Sequence, residues 1–134
     1  MSRTTFEEIL PAFGETLGIE LIPDHHDRCC LKINGTLSVQ LEKIEDGRVL
    51  LISSMLGTLA AGKYREDLLE NALKANGFYP KAATLCYIRR ANELALFRKL
   101  ELEIDTLSCC AEISSFIDTA SSWQTAIRTG RTSP

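Results

Sequence analysis

No apolar run approaches the ~20 residues that a membrane-spanning helix requires. The opening MSRTTFEEIL has acids where a secretion signal would have its apolar stretch. Both absences predict a cytosolic, cytoplasmic protein. Concentrated positive charge is missing too: 15 Lys and Arg face 18 Asp and Glu, a net charge of -3. The densest basic clusters are only Arg89-Arg90 and Arg98-Lys99. Nucleic-acid binding relies on clustered positive charge to release counterions, so no nucleic acid is expected as a partner. None of the eight glycines falls into G-x-G-x-x-G or the Walker arrangement. There is likewise no G-x-S-x-G and no H-E-x-x-H. Nucleotide chemistry, a nucleophile elbow and a helical zinc hydrolase site are therefore without support. The five cysteines are odd in number, and four form the adjacent pairs Cys29-Cys30 and Cys109-Cys110. Neighbours on a strand or helix point in different directions, so each pair is a poor disulfide with itself. Reduced thiols are expected.

What remains is an ordinary globular composition of 134 residues, 45% hydrophobic and 25% charged, which is the size of one domain. Phe6, Ile9, Leu10, Phe13 and Leu17 have helical spacing behind a capping-box pattern at Thr4-Thr5-Phe6-Glu7. Pro11 predicts a kink or break in that first helix. From Arg28 to Met55 the period becomes two, and the turn dipeptides Asn34-Gly35 and Asp46-Gly47 divide the stretch into an antiparallel three-strand meander. The third strand, Val49 to Ile52, is apolar on both faces, which suits a central strand or one whose outer face meets another chain.

After a loop from Gly57 to Gly62, Tyr64, Leu68, Leu69, Ala72, Leu73 and Ala75 mark a second helix. Asn76-Gly77 is expected to cap it, and Pro80 to stop it. Ala83 to Arg89 and Leu94 to Leu102 read as a second hairpin, with helix propensity as the competitor. Cys109, Ile113, Phe116, Ala120, Trp123 and Ile127 then form the stripe of a long closing helix. The expected fold is α+β in the order α-β-β-β-α-β-β-α, with helices packed against a twisted antiparallel sheet. One domain over 1–128 is predicted, followed by a disordered tail over 129–134.

Asp24-His25-His26-Asp27-Arg28-Cys29-Cys30 contains every common zinc-ligand type within seven residues. It lacks C-x-x-C and H-x-x-x-H spacing, and Cys29-Cys30 enter a strand where free Cys packs as a small hydrophobe. A solvated loop is the simpler reading, and no cofactor or metal is expected. A zinc- or thiol-dependent activity centred on His25, His26 and Cys29 stays as the enzyme alternative. Cys86 and the pair at 109-110 are expected in the core.

Several local patterns together resemble a known family. They are the opening F-E-E-I-L helix ending in Leu17-Gly18, the strand Val39-Gln40-Leu41-Glu42 and the strand exit Ser54-Met55-Leu56-Gly57. Asn71-Ala72-Leu73 before Asn76-Gly77 and Trp123-Gln124-Thr125-Ala126-Ile127-Arg128-Thr129-Gly130 complete them. In that order they resemble the class I chaperones of bacterial type III secretion over essentially the whole chain, and some are similar to chlamydial-type members serving the secretion gatekeeper. None is a catalytic signature, so the resemblance implies a non-enzymatic protein. It implies a chaperone binding the N-terminal region of a secreted effector or gatekeeper in extended form.

On this resemblance the first strand, Cys29, Leu31 and Ile33, is the candidate edge for an added client strand. Phe6, Ile9 and Leu10 are its expected pocket wall. The resemblance also implies a dimer through the second helix and fourth strand, placed here on Leu68, Leu69, Ala72, Leu73, Leu85 and Tyr87. A homodimer is expected, with a heterodimer with a related chaperone as the variant. A regulatory module of the same fold that sequesters a regulator is the alternative function.

Overall fold

The computed structural model describes residues 3–78 and 83–134. The elements are α1 (Phe6–Leu17), β1 (Arg28–Ile33), β2 (Leu37–Ile44), β3 (Val49–Thr58), α2 (Lys63–Phe78), β4 (Thr84–Ile88), β5 (Glu93–Glu101) and α3 (Thr106–Arg128). Their order is the expected α-β-β-β-α-β-β-α. All strand pairs are antiparallel, in the spatial order β1-β2-β3-β5-β4. β1 and β4 are thus the two edges, and β3 is central.

Helix α1 starts one residue later than its expected cap. Thr5 accepts from the Glu8 N–H, and its hydroxyl donates to the Glu8 carboxylate at 3.1 Å. Thr5 and Glu8 occupy the capping-box positions, with the carboxylate meeting the Thr5 hydroxyl in place of its N–H. Pro11 does not break the helix, which runs through to Leu17 and stops at Gly18 in the left-handed region. Pro11 is exposed, so the Glu7 carbonyl it cannot serve lies on the wet side. The apolar stripe of Phe6, Ile9, Leu10 and Phe13 stays intact and buried. Gly14 admits the returning loop, because a Cβ there would lie 2.6 Å from the Ile19 carbonyl oxygen.

Asn34-Gly35 and Asp46-Gly47 all have positive φ, the conformation tight hairpins need. β3 continues beyond its expected end to Thr58, with a bulge between Met55 and Gly57 that bends it. α2 does not end at Asn76-Gly77 but continues to Phe78; Pro80 lies outside the described residues.

Alternation gives the sheet two faces. Leu37, Val39 and Leu41 of β2, Leu50, Ile52 and Leu56 of β3 and Leu94, Leu96 and Leu100 of β5 point toward the helices and are buried. They meet α1 and the α3 residues Cys109, Ile113, Phe116, Ala120 and Trp123 in one core. Burying a side chain of this size contributes about 1.5–3 kcal/mol.

Asp105 caps α3 by accepting from the Ser108 N–H at 2.7 Å and from its hydroxyl at 3.0 Å. Expected to be disordered, the tail instead turns at Gly130 and folds back on α2. Arg131 N–H donates to the Ala126 carbonyl, Tyr64 Oη to the Arg131 carbonyl and Asn71 Nδ2 to the Thr132 carbonyl, the last two at 2.9 Å.

Candidate peptide-binding site

The two edges of the sheet are finished differently. At the start of β1 the outward-pointing main chain of Arg28 is taken up locally. Its N–H donates to Asp24 Oδ1 at 3.1 Å, and its carbonyl accepts from the Asp24 N–H at 2.7 Å. Antiparallel pairing directs alternate residues to the same side, so Cys30 and Lys32 also aim N–H and C=O away from β2. Among the described residues no loop or side chain meets those groups. Burial works against ionisation at Asp24, but the His26 and Arg28 N–H groups outweigh it and hold the carboxyl below its ordinary range.

Behind this edge the side chains are committed. Phe6, Ile9, Leu10, Cys29 and Leu31 are buried in the chain's own core, and Ile33 is half-buried. The expected pocket wall at Phe6, Ile9 and Leu10 is therefore not an open surface in the free chain, because the stripe of α1 is buried in the core that α1 shares with α3 and the sheet. Apolar surface beside β1 comes instead from the loop after α1. Ile19 is 49% exposed and Ile22 is 68% exposed, and the Ile22 N–H lies against the Cys29 thiol. Sequence reading missed both, since neither belongs to a periodic pattern.

The β4 edge is partly closed. Asn76 of α2 donates from Nδ2 to the Leu85 carbonyl and accepts the Leu85 N–H, both at 2.8 Å. Its side-chain amide stands where a neighbouring strand would pair. Beside it lies a groove of about 200 Å³ lined by Leu69, Ala72, Leu73, Leu85 and Tyr87, among others. The groove thus gathers five of the six residues expected at a dimer interface. The sixth, Leu68, has no exposed surface and belongs to the core. Ala72 and Leu85 are buried groove floor, whereas Leu73 is 72% exposed. Asn92 fixes the Tyr87 hydroxyl, accepting from it at 2.6 Å and from Arg65 Nη1 at 3.2 Å while donating to the Leu59 carbonyl at 2.7 Å.

The thiols and histidines do not assemble into a reactive centre. His25 and His26 lie on a turn with ring centroids 3.9 Å apart, while Cys29 faces the core. Among the described residues no three His, Cys, Asp or Glu side chains converge as metal ligands. Burial pushes the Cys29 and Cys86 thiols up, and the Cys109 thiol to about 12. Such thiols stay protonated and are poor nucleophiles at neutral pH. Cys86 is half-buried on β4 and Cys110 half-buried on α3, so neither is full core. No described helix is long and apolar enough to cross a membrane.

The sequence model of the Tir chaperone protein (CesT) family matches residues 8–124. Among solved structures, the complex of the chaperone SchA with the effector HopA1 is similar at 19% identity. The match covers 90% of this chain and 94% of that one with a TM-score of 0.71. The type III secretion chaperone SycH of Yersinia pestis, solved with a stable fragment of YscM2, is 19% identical over 89% of this chain and 99% of its own, with a TM-score of 0.70. The ExsC-ExsE complex gives 15% identity, coverage of 89% and 90% and a TM-score of 0.72. At these identities the likeness is one of fold. No curated protein matches the sequence.

Proposed function

The chain belongs to the Tir chaperone protein (CesT) family, and on that premise we propose that it is a cytoplasmic type III secretion chaperone holding an N-terminal client segment in extended form along β1. The client is a secreted effector or gatekeeper protein. The observation that carries this reading is the longer open stretch on β1: Cys30 and Lys32 offer main-chain donors and acceptors at two successive outward positions, while on the shorter β4 Asn76 takes Leu85 and only Tyr87 is left. An added strand gains main-chain hydrogen bonds there, and its alternate side chains meet Ile19, Ile22 and Ile33. Cys29, Leu31, Phe6, Ile9 and Leu10 act from below, as the rigid base that keeps the edge straight.

Two copies meet through the α2 and β4 groove, with Leu69, Leu73 and Tyr87 as the accessible contacts. Pairing two copies doubles the client-binding length, which helps offset the ordering entropy of an extended guest. The solved complexes of SchA with HopA1 and of SycH with a fragment of YscM2 support this reading by analogy of fold. The protein works by holding and has no turnover.

The test is isolation of the native complex from its own cell, followed by size exclusion and mass spectrometry. The expected result is a dimer bearing the N-terminal region of a secretion substrate, lost in Lys32→Pro and kept in Lys32→Ala. Proline is tolerated on an edge where the N–H faces outward, so the variant removes one donor without unfolding the sheet. A partner-free monomer contradicts the reading. A captured transcription regulator supports the regulatory module instead.

A further inference from the structure

The fold gathers cations that the sequence keeps apart. The turn after β4 carries the exposed pair Arg89 and Arg90, and Asn92 ties that turn to the loop after β3. Its Nδ2 donates to the Leu59 carbonyl at 2.7 Å, and its own carbonyl accepts the Leu59 N–H at 3.0 Å. Asn92 also accepts from Arg65 Nη1 at 3.2 Å, which sets the first turn of α2, with Lys63, beside the same loop. The end of α3 reaches this corner too, where Arg128 shares a cavity of about 520 Å³ with Gly57 and Thr58. The returning tail then lays Arg131 over α2, because Tyr64 Oη donates to its carbonyl and Asn71 Nδ2 to that of Thr132, each at 2.9 Å.

Six cations thus surround the loop from Gly57 to Gly62, against the three acids Glu66, Asp67 and Glu93. Lys63 takes Asp67 at 3.4 Å. Among the described residues Arg89, Arg90, Arg128 and Arg131 have no carboxylate within ion-pair distance. The corner is therefore positive on a chain whose net charge is -3. We propose that it takes a short acidic segment of a partner protein. Three observations select that occupant. First, all of the six except Lys63 are arginine, whose planar fork matches a carboxylate through two bonds at once. Second, like charges held together repel one another, and an acidic guest relieves that repulsion. Third, the acidic remainder of the chain repels a long polyanion running past the corner, whereas a short acidic stretch ends within it. Nucleic acid, which needs a longer cationic track, is the poorer fit.

A second copy of this chain is also a poorer occupant. Its acids would meet the corner head to tail, and such a contact between unlike patches grows into open chains unless the rotation closes a ring. None of the six cations belongs to the β1 edge or lines the groove of α2 and β4. The inference therefore does not rest on the client-holding reading, and a guest at the corner leaves both other surfaces free. Tyr64 and Asn71 are positioning residues here, acting through the tail that carries Arg131.

The experiment uses the full chain and a fluorescent peptide of about 10 residues alternating Glu and Ser, with Gln for Glu in its control. Anisotropy at low ionic strength reads binding. The inference expects saturable binding of the acidic peptide, weakened by salt, and none of the control. Affinity should fall about tenfold or more in Arg89→Glu with Arg90→Glu, and likewise in Arg128→Glu with Arg131→Glu. Lys74→Glu with Lys99→Glu, the same charge change on exposed residues elsewhere, should stay within about twofold. Unchanged thermal unfolding confirms that the variants fold, and Arg90→Gln and Arg128→Gln, expected to weaken binding in the same direction, replace any that do not. Tyr64→Phe should weaken binding in the native chain and not in Arg131→Gln, since its hydroxyl acts through Arg131. An equal loss in the lysine variant overturns the inference. So does no saturable binding at about 1 mM peptide, tighter binding of an oligonucleotide of equal charge, or self-assembly that the arginine variants abolish. The probe needs no client, so client capture by a chain that ignores the acidic peptide defeats this inference alone. Peptide binding by a chain that captures no client supports the corner and defeats the chaperone reading.

Discussion

Asn76 holds Leu85 at two points, donating to its carbonyl and accepting its N–H at 2.8 Å each. A helix side chain thereby completes the strand at Leu85 and closes that part of the β4 edge. Asn76→Ala should destabilise the fold by about 1–3 kcal/mol, because two part-buried main-chain groups lose their partners. It should also raise concentration-dependent aggregation through the opened edge. Urea unfolding and light scattering check both. Unchanged stability would mean that water replaces the amide without cost.

Leu73 stands 72% exposed at the rim of the α2 and β4 groove. Leu73→Asp should weaken self-association by about tenfold or more and leave the circular dichroism of the monomer unchanged. Sedimentation over a concentration series reads the outcome. A dimer of undiminished affinity would move the interface elsewhere.

Asp105 has its carboxyl held below the ordinary range, first by the Ser108 N–H and then by the Ser108 hydroxyl. A depressed folded pKa contributes stability that is present above the unfolded value, about 4, and lost as pH falls through the folded value. Thermal unfolding between neutral and acid pH should show this loss. Asp105→Asn, still a competent cap, should reduce the acid slope and keep most of the neutral-pH stability. An unaltered acid slope would remove Asp105 from the account.

The cysteines should react in the order of their exposure. Cys30 is exposed and Cys109 is buried, with the Cys109 thiol pushed to about 12 by burial first and then by Cys110 and Glu112. Mass-resolved alkylation at mild alkaline pH should modify Cys30 first and Cys109 last. Because the folded state keeps the Cys109 proton that the unfolded chain releases from an ordinary value of 9.0, stability should fall as pH rises above that point. Cys109→Ala should flatten this slope. Early modification of Cys109 in the folded protein would contradict the packing of α3.

The fold was legible because its signals are local: two positive-φ hairpin dipeptides, period-two strands, and the α3 stripe that ends on Trp123 and Ile127. Pro11 misled because a proline's cost depends on which side of the helix it faces, and that is a tertiary fact. Asn76-Gly77 misled similarly. The same Asn that caps helices in isolation reaches β4 here, and only strand order reveals Leu85 as its partner. The groove between α2 and β4 was largely readable from the surplus of apolar residues on α2. β1 was read as an edge strand, and it stands at one edge of the sheet. Its accessible parts are main-chain atoms and the loop residues Ile19 and Ile22, however, and periodicity has nothing to say about either. Phe6, Ile9 and Leu10 looked available because a sequence cannot show that the chain's own core has already consumed a helical stripe.

The most direct test of the central claim is amide hydrogen exchange of Cys30 and Lys32, measured in the free protein and in the native client complex. The account predicts fast exchange at both amides when free and strong protection on client binding, with little change at Leu85. Protection confined to β4, with Cys30 and Lys32 still exchanging freely in the complex, would contradict it.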